Sequence, residues 1–590
     1  MHGAVGLNPP AEVAVSCEQV GSARLSGTLN QPCSSFVGGS GPCSHLAIAA
    51  DVYLHNRDEL LRRLGREVPV ASSDAQLLLF AYEKWGTECP DFLLGDFAFA
   101  ILDSRHRQLF CCRDHIGSRP FLYGDNGSHF VFASDSETLL AFGRIPRRVN
   151  LSKLAGLMVY GGHRDSADTF HAGITSLPPG TSLTVDAGGI RKRTYWEPQI
   201  RAGLVPHRAE DAFEALRDLL FQAVDCRLAD GSSLAVDLSG GLDSSAVAGI
   251  AARCLAKKGG EVLALAGVLP EERRADFADE RDFIDEFRSC ANMRIEYVTA
   301  SGRGPFDGIE DPARFLQTPL RSPFFYLSEA LEQAAMANGA NLVFWGDWGE
   351  MGATCHARGY YAELAVKLRW KTLAHELTRL RAVQGVKPLR FLAARLRELL
   401  PRVPGKSFAP YVLLTPAFAR NGTAAPPVKC TSPDQRQWQL TAMRYFLAMA
   451  SHQTGQTFGG QLRVSHPLGD KRVLEFCLAA PPELKIRDGY DRYLIRGSLE
   501  GVLPRRIQWR TSKVAYSPDY QARYRLQLDK ARKFVAAIGP RDPVRSAIDV
   551  PRLGQLLQPE NPYNHAIARD VVTSSIYTIC FLRQFAEFRP

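Results

Sequence analysis

The sequence predicts an α/β protein of two parts: a strand-rich unit over residues 1–200 and a parallel-sheet unit over residues 207–590 with a helical C-terminal extension. Three observations predict it. Short apolar runs bounded by Gly, Asp and Asn crowd the first 200 residues, as strands of a layered, mostly antiparallel unit do. After residue 207 apolar runs alternate with stretches of helical spacing, the order of a parallel sheet covered by helices on both faces. A chain of 590 residues also exceeds one core, at roughly 100–200 residues per domain.

The elements follow in order. FAFAILD (97–103), QLFCCRD (108–114) and HFVFASD (129–135) read as strands, and 177–196 as a hairpin turning at Ala187-Gly188-Gly189. A polar linker, 197–211, separates the two parts. LAVDL (234–238) is an almost continuous apolar run, and 244–258 has helical spacing ending in two Lys and two Gly, which suit a helix C-terminus. Strand 261–269, helix 280–293, strand 294–300, helix 324–340 and strand 341–347 complete the alternation. Beyond residue 350 the chain reads as mainly helical. The Pro-rich stretch 401–433 reads as a loop or insertion, and 492–500 as a helix exposing Arg492 and Arg496.

Composition narrows the function classes. Lys+Arg 71 against Asp+Glu 62 leaves +9, with 45% hydrophobic residues, which excludes general disorder. Diluted over this length, the charge permits an acidic ligand such as ATP without demanding nucleic acid. The chain has no run of about 18 apolar residues, so no membrane span is expected. The opening MHGAVGLNPP has no signal-peptide pattern. Thirteen Cys without a CxxC pair read as reduced, mostly buried thiols of a cytoplasmic protein.

The strongest motif is Ser239-Gly240-Gly241-Leu242-Asp243-Ser244-Ser245, placed between a predicted buried strand and a predicted helix. Two glycines let the backbone turn tightly and bring N–H groups close to an anion. The helix N-terminus adds free donors, and Ser239, Ser244 and Ser245 add hydroxyls. Helix-dipole attraction of about 0.3–1 kcal/mol cannot neutralise a triphosphate. Asp243 therefore reads as a Mg²⁺ ligand. The bland alternative is a Gly-rich strand-to-helix turn with Asp as a cap.

SGGLDSS resembles the pyrophosphate loop of the ATP pyrophosphatases, and specifically of the asparagine synthetase superfamily, whose members activate a carboxylate by attack on the α-phosphorus of ATP. The resemblance runs along the chain: GDFAFAILD (95–103), RDHIGSRPFLYG (113–124), FASDSETLLA (132–141) and LPPGTSL (177–183) resemble the N-terminal glutaminase-like domain, and NLVFWGDWGE (341–350) with residues 466–513 resembles the synthetase domain. It implies a glutaminase-like α/β sandwich followed by an ATP-pyrophosphatase-type sheet, with ATP and Mg²⁺ as cofactors.

The chain departs from that family in three places. A working glutaminase of this kind begins Met-Cys-Gly, whereas His2 stands at the Cys position here, and imidazole cannot hold the thioester. The family's Asn-Gly-Glu-Ile-Tyr matches Ala49-Ala50-Asp51-Val52-Tyr53, removing an oxyanion donor whose loss costs about 10²–10³ in rate. The N-terminal unit is thus expected to be inactive as a glutaminase. The family's Gly-Glu-Gly-x-Asp-Glu becomes Gly346-Asp347-Trp348-Gly349-Glu350. The resemblance places Gly346 at the phosphates, Asp347 near the activated substrate and Glu350 at the metal, and aligns Lys513 with the catalytic Lys that steadies developing charge. Asp279 and Glu280 read as metal or substrate contacts or, more plainly, as a solvated helix start.

Loss of glutaminase leaves an adenylating amide former in need of another amine. The C-terminal stretch is most similar to lasso peptide macrocyclases, which join a peptide's N-terminal amine to an Asp or Glu side chain. That similarity implies a core peptide as substrate, and a separate leader peptidase and leader-binding protein as partners, with no nucleic acid and no membrane. An ammonia-dependent asparagine synthetase, a β-lactam synthetase-like enzyme and an ATP-binding scaffold without activity are the alternatives.

Overall fold

The computed structural model describes residues 2–6, 14–16, 34–160, 167–228, 231–319, 322–400, 413–422, 432–450, 462–558 and 566–588. Most of the expected loop or insertion at 401–433 lies outside them.

Among the described residues, eleven strands build the N-terminal unit. They are β1 (His2–Gly6), β2 (Ala14–Ser16), β3 (Ser34–Gly38), β4 (Leu46–Leu54), β5 (Gly95–Asp103), β6 (Gln108–Arg113), β7 (Leu122–Asp125), β8 (His129–Ala133), β9 (Thr175–Ser176), β10 (Thr181–Asp186) and β11 (Gly189–Thr194). They form two antiparallel sheets, β2-β1-β8-β7-β9 and β11-β10-β6-β5-β4-β3. The period of two decides the layers. Ala98, Ala100, Leu109, Cys111, Phe130 and Phe132 fill the space between the sheets. Their neighbours Phe97, Phe99, Ile101, Phe110 and Cys112 face outward onto the helix Asp74–Trp85. Adjacent Cys111 and Cys112 therefore lie on opposite faces, each a free buried thiol. The hairpin β10–β11 turns at Ala187-Gly188, as expected.

The C-terminal unit holds β12 (Leu234–Asp237), β13 (Val262–Gly267), β14 (Met293–Val298), β15 (Leu342–Phe344) and β16 (Arg463–Ser465), in the order β14-β13-β12-β15-β16 with every pair parallel. Helix α1 (Leu242–Ala256) follows β12, and α2 (Phe325–Ala337) precedes β15. One face of the sheet buries Ala235, Leu263 and Val343 and the other Val236, Ala264 and Phe344, so its strands read as near-continuous apolar runs. The α/β fold is as the sequence predicts.

Three expectations are corrected. The expected helix 280–293 is a short helix, Arg281–Ile284, running into a 3₁₀ turn, Asp285–Ser289. Its buried residues Ile284 and Phe287 are three apart, the 3₁₀ spacing. The expected linker 197–211 overlaps a helix that begins at Ala209. The helix expected over 492–500 spans Tyr493–Ser498, and Arg492 and Arg496 are buried rather than exposed. β16 went unread because three residues carry no period.

The two units share a buried polar seam. Within the C-terminal unit Arg227 pairs with Asp470 at 2.9 Å, both side chains fully buried, and its charge acts on Asp96 of the N-terminal unit. Ser465 Oγ donates to Asp96 at 2.7 Å, and His115 Nε2 contacts the Gly469 carbonyl at 2.8 Å. Arg463 of β16 stacks on Tyr53 of β4, 3.6 Å from the ring centroid. Among the described residues no helix is long and apolar enough to cross a membrane.

Candidate active site

The C-terminal ends of β12 and β15 deliver the predicted motifs to one edge of the sheet, where ligands of open parallel sheets bind. Gly240 has φ +70°, which an L side chain rarely adopts, and Gly241 caps α1. With glycine there, no side chain caps the first N–H groups of the helix. Inside the loop, the Ser239 amide donates to Ser244 Oγ at 3.0 Å, and the two hydroxyls lie 2.8 Å apart. Ser245 is fully buried, its hydroxyl without a partner among the described residues.

Two further glycines allow the loops to meet. A Cβ on Gly346 would stand 2.8 Å from the Ser244 amide nitrogen, and one on Gly349 would stand 1.8 Å from Asp243 Oδ1. Thr354 donates its hydroxyl to that same Oδ1. Burial pushes the Asp243 carboxyl up; Thr354, Arg492 and Lys513 pull against it, and Glu350 adds to the rise.

Glu350 receives Lys513 Nζ at 3.2 Å and Arg492 Nη2 at 3.3 Å on the same oxygen. Burial opposes its ionisation, but the Lys513 and Arg492 charges outweigh burial and hold the carboxyl below its ordinary value. Arg492 also donates to the Thr354 carbonyl and to His356 Nε2, whose Nδ1 faces Asp491. Asp243 and Glu350 thus feel each other electrostatically, a pair of oxygen donors of the kind that suits Mg²⁺.

Asp347 extends into solvent, its side chain 64% exposed, with Oδ2 3.7 Å from His466 Nδ1. Trp348 is buried with φ +72° and packs edge-on against Phe446, beside Ile116 and Trp196 of the N-terminal unit. The structure therefore brings Asp243, Glu350 and Lys513 together, keeps Gly346 against the loop, and sets Asp347 apart from that trio.

Glu280 is neither solvated nor free for a ligand. It takes both terminal nitrogens of Arg510 and the Val514 amide, while Arg510 also donates to the Gly240 carbonyl at 3.1 Å. The Arg510 guanidinium stacks 3.7 Å from the Phe283 centroid. Arg496 laces the same segment, donating to the carbonyls of Asp491, Gln508 and Arg510. A cavity lies between the end of β13 (Gly267, Val268, Leu269) and Tyr516 and Ser517 opposite. Sequence reading also missed Asp237, which closes β12. The signal was an acid at the end of an otherwise apolar strand, two residues before the Gly loop.

Comparison with known proteins agrees with this geometry. Residues 27–196 match the glutamine amidotransferase domain and residues 215–572 match asparagine synthase. The chain is 25% identical over 530 residues to asparagine synthetase (glutamine-hydrolyzing) 3 of Bacillus subtilis, covering 86% of this chain and 81% of that protein. It is 27% identical to amidase chry2 of Gibberella zeae over 57% of this chain and 50% of the relative. It is 29% identical to asparagine synthetase (glutamine-hydrolyzing) 2 of Bacillus subtilis over 34% and 28%.

Proposed function

This chain belongs to the asparagine synthase family and is an ATP-dependent amide-forming ligase; from that premise we propose that it is a lasso peptide macrocyclase. It adenylates an Asp or Glu side chain of a core peptide and joins it to the peptide's N-terminal amine, releasing AMP and pyrophosphate. The observation that carries the reading is the openness of the acyl side. Asp347 is 64% and Lys513 67% exposed, which supports a substrate larger than a free amino acid on the acyl side. The Ala49-Ala50-Asp51 stretch supports it, since it stands where the resemblance expects the oxyanion Asn of a glutaminase that would supply ammonia.

The residues divide the work. The Gly240-Gly241 turn and the α1 N-terminus face the β- and γ-phosphates. Asp243 and Glu350 would hold Mg²⁺, which supplies charge neutralisation on the leaving pyrophosphate. Lys513 steadies the charge that builds on the α-phosphate as the substrate carboxylate attacks. Ring closure then needs orientation, and well-oriented intramolecular reactions reach effective molarities of roughly 10⁵–10⁸ M. The core peptide reaches this chain from a separate peptidase and leader-binding protein.

The names of the relatives favour a second reading, asparagine synthesis from free aspartate and ammonia. One experiment separates the two. Purified chain, ATP and Mg²⁺ are mixed with a lasso precursor peptide and a leader peptidase, or with L-aspartate and ammonium. Loss of one water from the core peptide, with AMP and pyrophosphate released and Asp243→Ala inactive, is the expected result. An unmodified peptide alongside asparagine formation overturns it.

A further inference from the structure

Amide formation from an ammonium requires two protons to leave one nitrogen. The ammonium loses the first to become a nucleophile. The nitrogen then bonds the carbonyl carbon of the acyl-adenylate, the C–O bond to phosphate breaks, and its electron pair leaves on AMP. The second proton departs as the neutral amide forms.

We propose that Asp237 is the catalytic group that binds the substrate ammonium and accepts its first proton, with Asp347 accepting the second across the same cleft. The proposal rests on the ligase reading above. Asp237 is the last residue of β12, and Val236 pairs in register with Phe344 of the adjacent β15. Both strands therefore release their carboxylates at the same edge. The contact of Gly346 with the Ser244 amide fixes that edge beside the Gly loop.

Asp237 is half-buried, and among the described residues no Lys or Arg pairs with it and no donor reaches its carboxylate. The titratable groups that face it are Asp347 and the Tyr516 hydroxyl, the latter 3.5 Å from Ser328 Oγ. His466 Nδ1, buried and without a hydrogen bond, stands behind Asp347. Two carboxylates that face each other with no Lys or Arg paired to either among the described residues form a seat for a cation, and the substrate amine is one until it reacts. Burial, reinforced by Asp347, pushes the Asp237 carboxyl up to about 7. It can therefore hold a proton taken from an α-amine of pKa about 7.7–8.0 near neutral pH. Asp347 is the residue the family resemblance already marks, whereas Asp237 supplies the second acceptor that the stoichiometry requires.

The test intercepts the adenylate. N-acetylated core peptide with hydroxylamine, a nucleophile that needs no base, reports adenylation as hydroxamate; free core peptide reports ring closure. L-Aspartate with hydroxylamine or with ammonium is run in parallel. In Asp237→Asn, hydroxamate should stay within about two-fold of wild type while amide formation at pH 7 falls about 10²–10⁴-fold. The deficit should narrow about ten-fold by pH 9, as the free amine fraction rises. Asp347→Asn should show a smaller loss of the same kind. Equal loss of hydroxamate and amide in Asp237→Asn, or an undiminished amide rate, overturns the proposal. Absence of hydroxamate from wild type with both carboxylates overturns the ligase reading itself, and the proposal with it.

Discussion

Trp348 shows how one residue is held against its own backbone preference. Its φ of +72° costs on the order of 1–3 kcal/mol for a side chain of this bulk. Burying the indole against Phe446, Ile116 and Trp196 outweighs that, since losing a packed Trp costs about 3–5 kcal/mol. Trp348→Gly is therefore expected to lower stability by about 2 kcal/mol in urea denaturation even though glycine suits the angle. Gly349→Ala acts on chemistry instead. Its Cβ would drive Asp243 Oδ1 away, so pyrophosphate exchange should fall at least ~10²-fold with the fold retained by circular dichroism. Asp237 predicts a pH signature. The folded carboxyl keeps its proton to about pH 7, while the unfolded chain releases it near 3.9. Between those values the folded state binds more protons, so wild-type stability falls as pH rises and then levels. Asp237→Asn should thus melt with wild type at pH 4 and roughly 2–6 °C above it at pH 8; a shift of the same size at both pH values would refute the assignment.

At the scale of elements, the segment Trp509–Asp519 is held by partners far away in sequence. Arg510 is tied to Glu280 and Gly240, and Arg496 to the Gln508 and Arg510 carbonyls. Glu280→Gln breaks a largely buried pair and leaves Arg510 uncompensated, an effect worth about 3–5 kcal/mol. The expected result is a melting temperature lowered by roughly 6–20 °C, faster tryptic cleavage at Lys513 and a pyrophosphate-exchange rate lowered about ten-fold. Here the limits of sequence reading are visible. The Gly loop and its strand and helix were legible because their signals are local: two glycines, an apolar run, a 3.6 period. Glu280, Arg492 and Arg496 were read as solvated because charge next to charge in sequence looks like surface. Their partners lie up to 230 residues away, and only the fold brings them together. Asp347 and Lys513 were found by motif, but their distances from Asp243 were not readable from spacing.

The whole molecule is joined by charges that water never reaches. Arg227 and Asp470 are fully buried, and Asp96 and His55 lie beside them under 2% exposed. The Asp96 carboxyl faces burial that resists its charge, yet His55, Arg227, Arg119 and Arg463 hold it well below the ordinary carboxylate range. Arg227→Met should leave Asp470 with Arg472 alone. The expected outcome is a loss of about 3–5 kcal/mol and a calorimetric trace that splits from one transition into two. The loop carrying His115 and Ile116 also presses on Gly469 and Trp348, so the N-terminal sheets form a wall of the altered second motif. That arrangement has a consequence for descent. A nucleophile can be lost in one codon, but excising the sheets around it would strip the cover from Arg227, Asp470 and Trp348 together. Mutation can silence the first unit of this chain far more easily than deletion can remove it.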